Sequence, residues 1–320
     1  MHLPIADYDL ISFVLRELFM PSPLIKAIVI LFVGIAAFDV MSVLVRMLGG
    51  SYPILQISVL RNIFGIIPAM MLLMAGPGLR SIKKLNQKKQ WVIITIRSAA
   101  VLLAQMCFYT ALTKIEFATA SALGFTSPFF IALLSIPILA HHVGLISFTA
   151  IIIGFAGVLT IWEPFDESFS WWMVFPVIAA LGYALSSVLV RLFDEDIPSA
   201  AIQISQQFIT FFMGLILLLM FDEIVPIATI QDAGLFVLLG IFGGIGVLGL
   251  VIAYRLVDPS SLAPFEYFGI PISFMLGWLF FSEAPFDALF PGVFFIVGAG
   301  LLIFLRERYN KNQTRPNVKR

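Results

Sequence analysis

Ser42-Val43-Leu44-Val45-Arg46 occurs again as Ser187-Val188-Leu189-Val190-Arg191, 145 residues on. Gln56-Ile57-Ser58 then returns as Gln203-Ile204-Ser205, at an offset of 147, and Pro128 returns as Pro271, at 143. Ordered matches at a near-constant offset mark an internal repeat rather than shared apolar composition. Each copy of the repeat contains five apolar stretches long enough to cross a bilayer. An odd number of crossings makes the second copy enter the membrane with the opposite orientation. Inverted repeats of this kind are characteristic of secondary transporters, whose substrate site lies near the midplane between the halves and whose rocking alternates access.

The stretches run about 26–46, 53–74, 90–112, 118–140, 144–162, 171–192, 199–220, 233–256, 260–282 and 288–306. Each approaches the roughly 20 residues that a helix needs to span a hydrocarbon core. Composition agrees: 60% of the 320 residues are AVILMFWYC and 12% are charged, against about 25% charged in soluble chains. The expected fold is an all-α polytopic membrane protein of ten transmembrane helices. Residues 26–162 form one repeat and 171–306 the other. Residues 1–25 form an N-terminal cytoplasmic or interfacial segment, and 307–320 a basic tail. Met1 to Pro23 carries Asp7, Asp9 and Glu17 and is not expected to be a cleavable signal. Its Leu10, Ile11, Val14, Leu15, Leu18 and Phe19 predict a short helix lying on the membrane surface.

Lysine and arginine set the orientation. The loop holding Arg80, Lys83, Lys84, Lys88 and Lys89 shares one side with the C-terminal tail, Arg16, Lys26, Arg191 and Arg255. That side carries 15 of the 19 basic residues. Arg46 and Lys114 lie opposite, near the acidic clusters Glu163, Asp166, Glu167 and Asp222, Glu223, Asp232. Both termini are therefore expected in the cytoplasm, with the chain in the inner membrane.

Ionisable groups inside a span are costly unless they are paired or face a watered cavity, so each is a functional candidate. Four qualify: Asp39, Arg61, Arg97 and Glu266. A rise of about 1.5 Å per residue puts Asp39 level with Arg61 and Glu266 level with Arg97. They are read as two ion pairs. Either the pairs pin helices together, or they flank a cavity and bind the charged ends of a zwitterionic metabolite. Gln105 and Tyr109, and likewise Tyr183 and Ser187, lie four apart on one helical face. With Tyr267 they are candidates to complete the lining, a ring face being able to meet a cation. Pro128 and Pro271 interrupt hydrogen-bond ladders and are candidate hinges beside the cavity, with static kinks as the other reading.

The chain also resembles the EamA type of the drug/metabolite transporter superfamily over 26–306. The resemblance is carried by Phe38-Asp39-Val40-Met41-Ser42, Arg61, Ala118 to Pro128, and Gly154-Phe155-Ala156-Gly157-Val158. Ala263-Pro264-Phe265-Glu266-Tyr267, running on to Gly277-Trp278-Leu279-Phe280-Phe281-Ser282-Glu283, adds to it, with Gly298 and Gly300. That family usually reads Gly-Glu at the ends of spans four and nine. Here span nine reads Ser282-Glu283, and span four ends Ala140-His141-His142. Asp39-Val40-Met41 and its spacing to Arg61 look most like the S-adenosylmethionine uptake branch.

Other classes fit poorly. The three histidines, His2, His141 and His142, fall in predicted loops or at the terminus, Asp39 has no companion aspartate in a span, and Cys107 is the single cysteine. An intramembrane enzyme, a metal centre and a cofactor site are therefore not expected. No Walker A motif or filter-like loop is present. Zero net charge offers no basic field for nucleic acid. The expectation is a secondary-active carrier of a small polar or zwitterionic metabolite, S-adenosylmethionine-like or amino-acid-like. Its partners are the bilayer and the substrate, with protons or a counter-substrate open as coupling partners. Export of amino acids, metabolites or drugs is the alternative.

Overall fold

Lipid offers no hydrogen bonds, so each spanning segment must satisfy its own backbone, and helices do this within one segment. A computed structural model of the protein describes residues 23–76, 85, 87–140, 149, 152–157, 160, 170–283, 290–295, 297–299 and 302. Among them the regular structure is entirely helical. Seven helices are long and apolar enough to cross a membrane. They are α1 (Pro23–Leu48), α2 (Ile54–Ala75), α3 (Lys88–Lys114), α4 (Phe117–Leu139), α5 (Trp171–Leu192), α6 (Ser199–Phe221) and α7 (Ile230–Leu256). A shorter apolar helix, α8 (Gly269–Phe281), follows a 3-10 segment at Ala263–Phe268. The chain is an all-helical polytopic membrane protein. Helices α5 to α8 correspond to the sixth to ninth expected spans. Of the fifth span only 149, 152–157 and 160 are described, and of the tenth 290–295, 297–299 and 302; α1 begins at Pro23, three residues inside the expected 1–25 segment, whose remainder lies outside the described residues together with the basic tail.

Large apolar side chains face outward, as they must against lipid: Met71 is 68% exposed, Leu219 65% and Leu279 66%. With water absent from both sides of such a contact, close packing of small residues holds helices together. A Cβ on Gly249 of α7 would sit 3.0 Å from the Ile30 oxygen and 3.1 Å from the Gly34 Cα of α1. A Cβ on Gly182 of α5 would lie 2.8 Å from the Ala100 oxygen of α3.

The packing repeats when the halves are exchanged. Helix α1 packs on α7 as α5 packs on α3, α2 packs on α7 as α6 does on α3, and α4 packs on α5 as α8 does on α1. The pairs α2–α6 and α4–α8 map onto themselves. The halves also run in opposite senses. Tyr52, just past the end of α1, bonds Asp232 at the start of α7, and Lys114 at the end of α3 covers the ring of Trp172 at the start of α5. Helix α5 therefore starts at the end of the bundle where α1 finishes. Below, the two ends are named for Arg46 and Arg191.

Helices α4 and α8 are interrupted at equivalent points. The turns of α4 break at Phe125–Thr126, between Phe117–Gly124 and Ser127–Leu139, and α8 begins after its 3-10 entry. Pro128 and Pro271 each fall in the first turn after the interruption, where the missing N–H costs little. They restart helices instead of bending continuous ones. Both helices also end on a left-handed residue, Ala140 (φ 53°) and Ser282 (φ 55°). That conformation crowds a Cβ against the backbone, and glycine escapes the strain.

Ala140→Gly and Ser282→Gly are each expected to stabilise the protein by about 1 kcal/mol, read as a higher melting temperature in detergent. Gly182→Leu is expected to lower it by separating α3 from α5.

Candidate functional site

A cavity of about 170 Å³ lies between the halves and is lined by both. Seven of the nine side chains expected from the sequence line it: Asp39, Arg61, Arg97, Gln105, Tyr183, Ser187 and Glu266. All four ionisable groups are at most 7% exposed. Tyr109 and Tyr267 are not in the lining. The Tyr109 hydroxyl donates to the Met41 sulfur at 3.7 Å behind the wall. The Tyr267 ring packs on Phe129 at 6.0 Å, and its hydroxyl is buried without a hydrogen-bond partner.

The two expected ion pairs do not form. Neither Asp39 with Arg61 nor Glu266 with Arg97 comes within the 4.0 Å of an ion pair. Both arginines and Glu266 turn instead to neighbours that linear spacing does not reveal. Arg61 donates one terminal nitrogen to Asn62 Oδ1 at 3.0 Å and the other across to the Gly243 carbonyl of α7 at 2.9 Å. Its Nε has no partner. Arg97 donates Nε to the Ser186 carbonyl of α5 at 3.0 Å and leaves a terminal nitrogen unpaired. Glu266, in the 3-10 segment, accepts from the Tyr254 hydroxyl of α7, and Asp39 keeps Oδ2 without a partner.

A polar network braces Arg61. Ser58 donates to Gln105 Oε1 at 2.6 Å, and Asn62 Nδ2 donates to the same oxygen at 2.9 Å. Asn62 thus links the arginine on α2 to a glutamine on α3. The carboxylates come from α1 (Asp39) and from the 3-10 entry to α8 (Glu266). The cavity therefore brings arginines from α2 and α3 together with carboxylates from α1 and that entry, with unfilled hydrogen-bonding capacity on Arg61, Arg97 and Asp39. Charges held this way in a lipid-enclosed bundle call for water or a ligand to complete them.

Sequence reasoning missed the rest of the lining. Phe38, Phe108 and Phe125 supply ring surface, and Ser42, Ser121, Ser127, Ser186 and Gln206 supply polar groups. Phenylalanine and serine are ordinary in apolar helices, so residue type does not set these apart; Phe38, Ser42, Ser121, Phe125 and Ser127 do fall in the stretches that carry the family resemblance, which gave them no lining role. Gln206 carried a weak signal, since an amide buried in a span needs partners, and neither of its amide atoms has one.

Residues 25–162 match the EamA-like transporter family. A riboflavin transporter of Rhizobium johnstonii is 29% identical over 192 residues, 59% of this chain and 62% of that protein. The S-adenosylmethionine uptake transporter of Rickettsia bellii is 23% identical over 190 residues, 59% of this chain and 64% of the relative. The chain thus spans less than two thirds of the length of either. A pseudopaline exporter of Pseudomonas aeruginosa is 28% identical over 255 residues, covering 79% of this chain and 86% of that protein. A solved protein structure superposes with a TM-score of 0.69 at 20% identity, covering 88% of this chain and 98% of the other. That likeness concerns the fold.

Asn62→Leu strands both Arg61 and Gln105 and is expected to destabilise the protein by about 1–3 kcal/mol, measured as a fall in melting temperature in detergent. Tyr267→Phe removes an unsatisfied hydroxyl and is expected to leave that temperature unchanged or higher.

Proposed function

We propose that this chain, which carries an EamA-like transporter domain, is a secondary-active carrier. It moves a small polar or zwitterionic metabolite through the central cavity by alternating access. One observation carries the reading: two arginines and two carboxylates converge on one buried space and leave each other unpaired. Ion pairs serving only to pin helices would close on one another. Here Arg61 and Arg97 keep free donors and Asp39 a free acceptor, which suits a ligand bearing both signs. Ring surface from Phe38, Phe108, Phe125 and Tyr183 suits a substrate with an apolar or planar part.

In this reading 26–162 and 171–306 are the rocking repeats. The 1–25 segment and the 307–320 tail are cytoplasmic, and the membrane is the inner membrane. Site residues are Asp39, Arg61, Arg97, Gln105, Tyr183, Ser187 and Glu266, with Tyr109 and Tyr267 behind them. The interruptions at Pro128 and Pro271 act as hinges. Uptake or exchange of an S-adenosylmethionine-like or amino-acid-like compound is the first choice, driven by protons or a counter-substrate. Export is the second, favoured by the exporter relative that aligns over most of its length.

Thermal stabilisation in detergent against amino acids, S-adenosylmethionine, nucleosides, riboflavin and cationic drugs tests the site. A ligand at a hundred times its Kd stabilises the folded state by about 2.7 kcal/mol. The shift is expected to shrink at least about tenfold in affinity terms in Arg61→Ala, Arg97→Ala, Asp39→Asn and Glu266→Gln. A shift that survives all four substitutions would return those charges to structural duty.

A further inference from the structure

The repeat that opens the sequence ends in arginine twice, and the two arginines are used differently. Arg46 donates to the Ile115 carbonyl at 3.1 Å and to both carboxylate oxygens of Glu283, one of them at 3.2 Å. The Phe117 backbone N–H donates to the same carboxylate at 2.7 Å. The Arg46 guanidinium lies over the Phe281 ring, 4.7 Å from its centroid, and that ring is 5.6 Å from the ring of Phe117. Glu283 thus ties the end of α8, in the second half, to the end of α1 and the α3–α4 turn, in the first. The two side chains are only 21% and 16% exposed.

Arg191 makes the twofold-related bond, to the Arg255 carbonyl at the end of α7, at 3.1 Å. Its carboxylate partner, however, is Asp258 at 2.7 Å, within the same half. The reason lies in the linear sequence. Ala140 and Ser282 are the equivalent left-handed residues that end α4 and α8. Glu283 follows one of them and His141 the other. An imidazole cannot supply the anionic acceptor that Glu283 supplies; His141 itself lies outside the described residues.

Other bonds between the halves reinforce the asymmetry. Tyr52 donates to Asp232 at 2.9 Å and accepts from the Ala228 N–H at 3.1 Å. Gln56 exchanges two bonds with the Val225 backbone, at 2.7 and 2.9 Å. All lie at the Arg46 end. At the Arg191 end, Arg191 and Arg255 bond only within the second half among the described residues.

We infer that Arg46 and Glu283 form a one-sided gate, so that the resting carrier is sealed at the Arg46 end and opens at the Arg191 end. This rests on the carrier reading above. Opening the Arg46 end separates the Arg46–Glu283 ion pair that joins the halves, whereas at the other end the equivalent arginine, Arg191, pairs within its own half among the described residues. With the orientation expected from the basic residues, the resting cavity faces the cytoplasm. Gating of the outward-open state then depends on Glu283.

The test uses full-length protein in membrane vesicles, with Cys107→Ala removing the native thiol and Ser121→Cys reporting from the cavity. A membrane-impermeant maleimide is applied to right-side-out and to inside-out vesicles. The reporter is expected to label faster from the Arg191 side, and Glu283→Gln is expected to shift the ratio of rates toward the Arg46 side by about tenfold or more. The exchanged pair, Arg46→Glu with Glu283→Arg, is expected to restore it, and carries the test if Glu283→Gln does not fold. Asp258→Asn is expected to leave the ratio unchanged. An unchanged ratio in folded Glu283→Gln, or an equal shift in Asp258→Asn, overturns the gate while the carrier reading stands. Equal, simultaneous labelling from both sides before any gate substitution overturns the carrier reading as well.

Discussion

A guanidinium or carboxylate enclosed by lipid-facing helices must be met by dipoles, by an opposite charge or by water, because the hydrocarbon offers nothing. That constraint organises the interior of this protein. Arg61 and Arg97 are each held by a backbone carbonyl on a helix of the opposite half, Gly243 on α7 and Ser186 on α5. Such carbonyls cross-link the halves without neutralising the arginine. The charge therefore stays available to the cavity. Complete neutralisation by Asp39 and Glu266 would have given a quieter and less useful interior. The Ser58–Asn62–Gln105 network contributes by keeping the guanidinium of Arg61 in place through fully bonded neutral groups.

The twofold exchange of the halves sets where this chemistry sits. Helices α2 and α6 meet on the axis, as do α4 and α8, and the cavity lies between these contacts. Interruptions in α4 and at the entry to α8 put short, non-ideal backbone beside the cavity, a position where such backbone is tolerated because it does not face lipid. Glu266 gains its place from this: it lies in the 3-10 entry, close to Tyr254, and not on a regular helical face. Close approach of α1 to α7 and of α3 to α5 depends on Gly34, Gly249 and Gly182, so the same small residues that hold each contact also define the width of the space between.

Symmetry is broken where the chain meets water. A carboxylate follows the left-handed residue at the end of α8 but not at the end of α4, and among the described residues the ion pair between halves lies at the Arg46 end.

The linear pattern was enough for the helical class, the inverted repeat, the four buried charges and most of the polar residues that line the cavity. These follow from hydropathy, from a rise of about 1.5 Å per residue and from the cost of ions in lipid, all of which are properties of one segment at a time. Partner choice was decided only in three dimensions. Arg61 finds Asn62 and Gly243 instead of Asp39, and Arg97 finds Ser186, because the azimuth of a side chain depends on which helix packs alongside. Tyr109 and Tyr267 fell behind the wall for the same reason. Apart from Ser187, the phenylalanines and serines of the lining had no role assigned from sequence, since their types are common in any apolar helix and only the packing brings them to one space.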